Sequence, residues 1–213
     1  MLGASLAAGG EAAAPLTGGC ADPDGVGALV NGRSLASVAP GAVAPCCLYR
    51  SAAPARSDAL PLPFAFRTVV DFRRGHEKRR EDGASHALAS RSCTVIHQNG
   101  LNGAKPSGLA DVNWCKFCCL QWSCQGKRAE GLIIAEVMKP ENMLEMYKLM
   151  LADCGAALCE TLEVCANREN YPLLFHCSSG RDRTGVTAML IEHIAGVPRE
   201  GLVRCVSLPN SPF

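Results

Sequence analysis

Residues 173–185 read LLFHCSSGRDRTG. The opening run LLFH is continuously apolar up to its last residue, which predicts a strand buried on both faces, as in a parallel sheet. A tight loop with Gly180 follows, and the next residues predict a helix that begins near Arg183 and ends at Gly196. A buried strand, a tight loop and a helix in this order predict an α/β fold with the loop at one edge of the sheet.

The loop has the composition of a phosphate site with a nucleophile. Backbone N–H groups of a tight loop that leads into a helix form an anion site, and Cys177 stands at its start. The same dipoles stabilise a thiolate, which is the reactive form of cysteine. Arg183 follows after five intervening residues, and its planar guanidinium can bind two phosphate oxygens. We expect the Thr184 hydroxyl to hydrogen-bond the thiolate when a phospho-cysteine intermediate is cleaved. We call residues 177–183 the signature loop.

Other segments complete the expected fold. Residues 66–72 (FRTVVDF) and 93–97 (CTVIH) predict two short strands, and residues 141–166 predict one long helix. The apolar face of that helix recurs every three or four positions, at Met143, Tyr147, Met150, Cys154, Leu158 and Leu162. The sequence therefore predicts an α/β fold with a central, mostly parallel sheet flanked by helices.

Length and charge limit the other possibilities. The chain has 213 residues, which suits one domain. Residues 1–24 are rich in Ala, Gly and Pro and predict a flexible tail, so we place the domain at 25–213 and expect it to be shortened at its C-terminus. The net charge of +1 gives no general affinity for nucleic acid, and no apolar stretch is long enough to predict a membrane segment. We expect a monomer.

The cysteines allow two interpretations. Their number, 13, is odd, and no secretory signal precedes them, so we expect free thiols in a reducing cytoplasm. Cys115 and Cys118 have zinc-ligand spacing, with Cys119 and Cys124 nearby, but a second well-spaced pair is missing. We therefore favour packing over metal binding, and we expect neither a metal nor a cofactor.

The signature loop resembles that of the cysteine-based protein tyrosine and dual-specificity phosphatase superfamily. Three further segments resemble the atypical tyrosine phosphatases whose loop contains Lys-Asp-Arg. VVDFRRGHE (69–77) is similar to their Asp-Leu-Arg-Ser-x-x-Glu segment, and LYRSAAP (48–54) to their segment with Arg-Ser-Ala. MLEMYKLML (143–151), followed by PLLFHC, is similar to their helix-then-loop region. Members of this subgroup hydrolyse phosphotyrosine, phosphoserine or phosphothreonine and phosphoinositides, so the resemblance implies a phosphorylated protein or a phosphoinositide as substrate.

The resemblance also implies roles for single residues. Cys177 matches the nucleophile and Arg183 the phosphate-binding arginine. The residues that match the phosphate-binding part of the loop are Ser178, Ser179, Gly180, Arg181 and Asp182, with Thr184 beside them. Arg181 stands where the subgroup has lysine, so a planar fork replaces a point charge and substrate preference is expected to differ.

The general acid is less well defined. The leaving oxygen needs a proton from a positioned carboxylic acid, and the Trp-Pro-Asp loop of many relatives is missing. Asp182 is the first candidate, which the subgroup resemblance supports. Asp71 is the second candidate. The alternative role for Asp71 is that of a structural partner that binds an arginine. Asp111, in a loop, is a third.

Three features depart from the subgroup. Ser34 stands where the subgroup has aspartate, residues 60–63 (LPLP) place prolines where a helix is expected, and the C-terminus is expected to be shortened. The missing Trp-Pro-Asp loop and the short C-terminus make a non-catalytic phosphate-binding module an alternative to a phosphatase. A rhodanese-like sulfurtransferase, which also uses a cysteine in a loop above a sheet, is another alternative.

Overall fold

The computed structural model describes residues 29–54, 66–80, 93–98, 101, 112–123, 125–137 and 139–207. Several segments singled out in the sequence lie outside these described residues. They are the tail at 1–24, the LPLP segment at 60–63, Asp111, Cys124 and the end of the chain after residue 207.

The described strands form one five-stranded sheet in the order β1-β2-β5-β3-β4. They are β1 (Arg33–Ser34), β2 (Leu48–Ser51), β3 (Thr68–Asp71), β4 (Thr94–His97) and β5 (Leu173–His176). All neighbours run parallel except β1, which is antiparallel to β2. The predicted mostly parallel sheet is confirmed.

Strand β5 occupies the centre of this sheet. It pairs with β2 on one side and with β3 on the other, and all four of its residues are buried. The register aligns His176 with Ser51 and Asp71, and Asp71 in turn with His97. These four residues mark what we call the carboxyl edge of the sheet, where the signature loop begins.

The described helices are α1 (Leu35–Val38), α2 (Gly75–Arg80), α3 (Trp114–Trp122), α4 (Gly126–Val137), α5 (Pro140–Asp153), α6 (Gly155–Ala166), α7 (Asp182–Ile194) and α8 (Arg199–Ser207). A 3₁₀ turn (Arg168–Asn170) leads from α6 into β5. Within the described ranges, no helix is both long and apolar enough to cross a membrane.

The single helix predicted over residues 141–166 is wrong in one respect. The structure divides it into α5 and α6 at Cys154, whose backbone lies at φ −104° and ψ 16°. Gly155 follows directly and weakens a helix through its conformational freedom. The predicted apolar face is nevertheless correct, because Met150, Cys154 and Leu158 are all buried. Because the apolar face continues across the break at Cys154, the spacing of the apolar residues does not reveal the break.

The core lies on both faces of the sheet. The larger cluster joins Val70 and Phe175 of the sheet to Met150, Leu158 and Val186 of the helices. The smaller cluster, on the other face, consists of Leu29, Tyr49, Phe66, Val69 and Leu174. Because consecutive residues of β5 enter different clusters, the uninterrupted apolar run LLFH is explained by burial on both sides.

Helix α7 begins and ends where the sequence predicts. Asp182 is its first residue, and an acidic side chain there is stabilised by the positive end of the helix. The helix ends at Ile194, and Gly196 adopts a left-handed φ of +83° just beyond it. The signature loop is thus held between the central strand and a helix of 13 residues.

Candidate active site

The carbonyl groups of the signature loop are bonded away from its centre. The Ser178 oxygen accepts from Ala53 N at 3.0 Å, the Ser179 oxygen from Asn31 Nδ2 at 2.7 Å and the Gly180 oxygen from Arg50 Nη2 at 2.8 Å. In a planar trans peptide the following N–H points the opposite way. The N–H groups of residues 179, 180 and 181 are therefore directed to the concave side of the loop, where they form an anion cradle.

Gly180 is the tightest point of this cradle. Its φ is +67°, a conformation that residues with a side chain rarely adopt. A Cβ built there would lie 2.5 Å from Ala52 N and 2.6 Å from the Ser51 carbonyl group. Gly185 differs, since its Cβ would meet only Arg50 Nη2, at an ordinary 3.7 Å. A glycine is therefore required by the close approach of the backbone at Gly180 and not at Gly185.

Cys177 lies at the base of the cradle. It is 1% exposed, and Gly180 N donates a hydrogen bond to its Sγ at 3.2 Å. The preceding His176 is fully buried, and its Nδ1 lies 3.3 Å from the Cys177 carbonyl oxygen. Burial lowers the pKa of His176 to about 4, so its imidazole is neutral near pH 7. His176 therefore contacts the backbone of the loop at the Cys177 carbonyl oxygen.

Arg183 is oriented by Glu77 of α2. Its two terminal nitrogens donate to the Glu77 carboxylate at 2.9 and 2.7 Å, and Nη1 also donates to the Phe72 carbonyl oxygen at 2.7 Å. Glu77 accepts two more hydrogen bonds, from Ser178 Oγ at 3.0 Å and from Arg74 N at 2.5 Å. One carboxylate thus fixes the arginine and the first serine of the loop together.

Glu77 and Arg183 are both held in their charged forms. Burial alone would raise the pKa of Glu77, but the hydrogen bond and charge of Arg183 and the hydrogen bonds from Arg74 N and Ser178 lower it to about 2. Burial would lower the pKa of Arg183, and the Glu77 bond together with the Cys177 charge raises it instead. A permanent cation therefore lies close to the thiol.

Asp71 at the end of β3 is bound to Arg73. Its carboxylate, fully buried, accepts from Arg73 N and Nε at 2.9 and 3.0 Å and from Nη2 at 2.9 Å. Burial raises the pKa of Asp71, but the Arg73 hydrogen bonds and the neighbouring His176 outweigh it and lower the pKa to about 2. A buried carboxylate held by a buried guanidinium fits the structural alternative given for Asp71 better than proton donation.

Asp182 has a different environment. It is half-buried at the start of α7, and its Oδ1 accepts a hydrogen bond from Tyr147 Oη of α5 at 2.7 Å. Its partner is a neutral phenol, whereas Asp71 is bound to a cation. Asp182 thus lies within the signature loop, and no described arginine or lysine forms an ion pair with it.

Two other predicted residues of the loop region each have a buried polar atom without a hydrogen-bond partner among the described residues. One is Thr184 Oγ1, and its bond to the thiolate during cleavage of the intermediate stays a prediction. Arg181 Nε is likewise buried and has no partner among them. Arg181 lies close enough to Tyr147 for its charge to affect the pKa of that phenol.

Sequence reasoning missed the residues that shape the loop from outside. Asn31, Arg50 and Glu77 contact it from positions more than 100 residues away in the chain. Glu77 and Arg50 stand in two of the segments that resemble the phosphatases. Their location in these segments was the signal that could have identified them. Ser34, the apparent departure from the subgroup, is buried and caps α1 by accepting from Ala36 N at 3.2 Å.

An apolar cavity lies away from the signature loop. It measures about 870 Å³ and is lined by apolar residues before β2 and β5 and at the end of α7, among them Val43, Leu48, Tyr171, Ile191 and Ile194. Because β2 and β5 are parallel, this is the amino edge of the sheet, opposite the signature loop. The size of this cavity therefore does not indicate the position of the candidate active site.

The cysteines outside the loop include exposed thiols, a disulfide-bonded residue and buried thiols. Cys115, Cys118 and Cys119 are exposed free thiols on α3, and no group of three or more described His, Cys, Asp or Glu residues could hold a metal ion. Cys46 is disulfide-bonded, so the prediction of free thiols is wrong at that position. Cys47 and Cys165 are buried, and burial raises the pKa of each.

Comparison with known proteins agrees with the geometry of the loop. A model described as the tyrosine phosphatase family matches residues 26–204. A tyrosine-protein phosphatase from Nostoc commune is 33% identical over 64 residues, which are 30% of this chain and 22% of that protein. The matched part thus spans about a fifth of the length of this relative. Because the family model covers most of the sequence, the chain belongs to the tyrosine phosphatase family, whose members are phosphoric monoester hydrolases.

Proposed function

We propose that the chain hydrolyses phosphate monoesters through a phospho-cysteine intermediate. The observation that supports this most directly is the outward bonding of three consecutive loop carbonyls, which leaves the following amides facing the space above Cys177. Such fixed donors stabilise the charge on phosphoryl oxygens without reorganising during the reaction. Arg183, held by Glu77, adds a permanent positive charge at the same place.

The reaction has two steps in this proposal. The Cys177 thiolate attacks phosphorus, a bond forms between Sγ and phosphorus, and the bond to the leaving oxygen breaks. That oxygen takes a proton as it leaves. Water then attacks the phospho-cysteine, which releases inorganic phosphate and restores the thiolate. The loop amides and Arg183 bind the three non-reacting oxygens in both steps.

We propose Asp182 as the acid that protonates the leaving oxygen. An acid must hold a proton before the reaction, and the pairing of Asp71 with Arg73 keeps that carboxylate ionised. Asp182 has a neutral hydrogen-bond partner and belongs to the loop itself. We propose that Asp71 positions Arg73 and His176 beneath the loop instead.

The substrate class follows from the family and from the resemblance. We propose that phosphotyrosine is the principal substrate and that the chain belongs to the Lys-Asp-Arg subgroup, with phosphoserine, phosphothreonine and phosphoinositides as further substrates. Arg181 in place of lysine supports a different preference among these from that of the subgroup. We also propose a cytoplasmic site of action.

The test is hydrolysis of p-nitrophenyl phosphate by the full chain in the presence of a chelator. Wild type should turn over, and Cys177→Ser should lose activity while it retains vanadate binding, because the cradle is made of backbone. Persistence of activity in Cys177→Ser would overturn the proposal. Binding of phosphate without turnover by wild type would favour the non-catalytic module instead, and activity on thiosulfate would favour a sulfurtransferase.

A further inference from the structure

Tyr147 does more than pack in the core. Its ring lies against the larger core cluster, yet its hydroxyl extends from α5 to the first residue of α7 and donates to Asp182 Oδ1 at 2.7 Å. The two residues are 35 positions apart in the chain, and they belong to two different helices, α5 and α7. The sequence pattern that assigned Tyr147 to an apolar face does not explain this contact.

The phenol is a constant hydrogen-bond donor. Burial and the neighbouring Asp182 carboxylate raise the pKa of Tyr147 well above its ordinary value, which keeps the hydroxyl protonated. A ring that is held by the core also has few alternative orientations, so the bond fixes the rotamer of the aspartate as well as occupying one of its oxygens. Oδ2 of Asp182 has no hydrogen-bond partner among the described residues and is left for the reaction.

We propose that Tyr147 is a positioning residue that directs Oδ2 of Asp182 toward the leaving oxygen of the substrate. This inference rests on the proposed function. As the bond between phosphorus and the leaving oxygen breaks, the proton on Oδ2 passes to that oxygen. The carboxylate that remains keeps its Oδ1 bonded to the Tyr147 hydroxyl, which stabilises the new charge. Tyr147 itself neither gains nor loses a proton.

The dependence of rate on the leaving group separates this role from a structural one. Protonation matters most when the leaving phenol is weakly acidic, so phenyl phosphate needs the acid more than p-nitrophenyl phosphate does. In Tyr147→Phe, kcat/KM should fall about tenfold for phenyl phosphate and less than about threefold for p-nitrophenyl phosphate. Vanadate affinity should not change, because the loop amides do not contact the phenol.

Tyr171→Phe is the matched control. Tyr171 is also half-buried, and its hydroxyl donates to the Cys165 carbonyl oxygen at the amino edge of the sheet. This variant should keep the wild-type ratio of the two substrates. Asp182→Asn should change the ratio in the same direction as Tyr147→Phe and further, and the double variant should be no worse than Asp182→Asn alone, because Tyr147 acts through the aspartate.

Several outcomes would overturn the inference. They are an equal loss for both substrates in Tyr147→Phe, an additive loss in the double variant, and a wild-type ratio in Asp182→Asn. Asp182→Asn retains Tyr147, so its substrate ratio remains informative even if Tyr147→Phe does not fold. If wild type is inactive or Cys177→Ser remains active, the proposed function has failed; if Cys177→Ser is inactive and the substrate ratio changes in Asp182→Asn but not in Tyr147→Phe, only the role of Tyr147 has failed.

Discussion

Two neighbouring connections at the carboxyl edge of the sheet have the same plan and opposite chemistry. The β5–α7 connection and the β3–α2 connection each lead from a buried parallel strand into a helix. In the first, three carbonyls are bonded outward and the following amides face Cys177. In the second, the amides of Arg73 and Arg74 already donate to Asp71 and Glu77.

The difference shows what makes a strand–loop–helix connection an anion site. A strand–loop–helix geometry is not sufficient by itself. In the β3–α2 connection, the amides of Arg73 and Arg74 already donate to Asp71 and Glu77 of the same segment. That connection contributes ionised side chains instead: Asp71 holds Arg73, and Glu77 holds Arg183. One connection therefore directs its amides toward Cys177, and the other orients two arginines near it. Substitutions in either connection test this division of roles.

The largest effect is expected from Gly180→Ala, which breaks the first connection. The added Cβ would clash with backbone atoms of residues 51 and 52, so the loop must move and its amides lose their alignment. We expect kcat/KM for p-nitrophenyl phosphate to fall at least about a hundredfold, with weaker vanadate binding. Gly131→Ala in α4, where a Cβ meets nothing within 4 Å, is the control and should retain activity. Normal kinetics in Gly180→Ala would contradict the close approach.

Asp71→Asn alters the second connection. It removes the charge of the carboxylate that binds Arg73, which is 1% exposed, so we expect a loss of about 3 kcal/mol in the free energy of unfolding. Urea denaturation measures this loss. The ratio of phenyl phosphate to p-nitrophenyl phosphate turnover should stay at the wild-type value, and a change like that expected of Asp182→Asn would restore Asp71 as the acid. Glu145→Gln, in an exposed pair with Lys148, should be silent.

His176 links the two connections and should make stability depend on pH. Its pKa is lowered from 6.5 to about 4 in the folded chain, so the unfolded chain binds the proton first as pH falls. The stability is complete above pH 6.5 and is lost between pH 6.5 and 4; we expect a loss of about 2 kcal/mol between pH 7 and pH 5. Urea midpoints across this range test the prediction. His176→Gln should flatten the dependence, and an unchanged slope in that variant would assign it to other groups.

Glu77→Gln should have the smallest of these effects. The amide can still accept one hydrogen bond from Arg183, but the charge that holds the guanidinium is gone. We expect kcat/KM to fall about tenfold, which corresponds to about 1.4 kcal/mol. Steady-state kinetics with p-nitrophenyl phosphate gives the value. Glu160→Gln, an exposed carboxylate that accepts from Gln98, should behave as wild type, and equal losses in both variants would show that Arg183 needs no partner.

The local parts of the fold were predictable, and the contacts between distant segments were not. The run LLFH gave the buried strand, and Gly196 gave the end of α7, because burial and helix termination depend on neighbouring residues. The bonds from Asn31 and Arg50 to the loop, and from Tyr147 to Asp182, join residues that no periodicity connects. The break at Cys154 was missed for the opposite reason, since an unbroken apolar stripe covers it.

The position of β5 has a consequence for how the chain is made. The strand at the centre of the sheet is the last of the described strands to leave the ribosome, and it separates β2 from β3. Before residues 173–176 emerge, the described strands can form only the pairs β1–β2 and β3–β4, and isolated two-stranded units are marginal in water. Until β5 is synthesised, the edges of β2 and β3 that it later pairs with therefore stay unpaired. The strand that leads into the signature loop is also the one that completes the sheet.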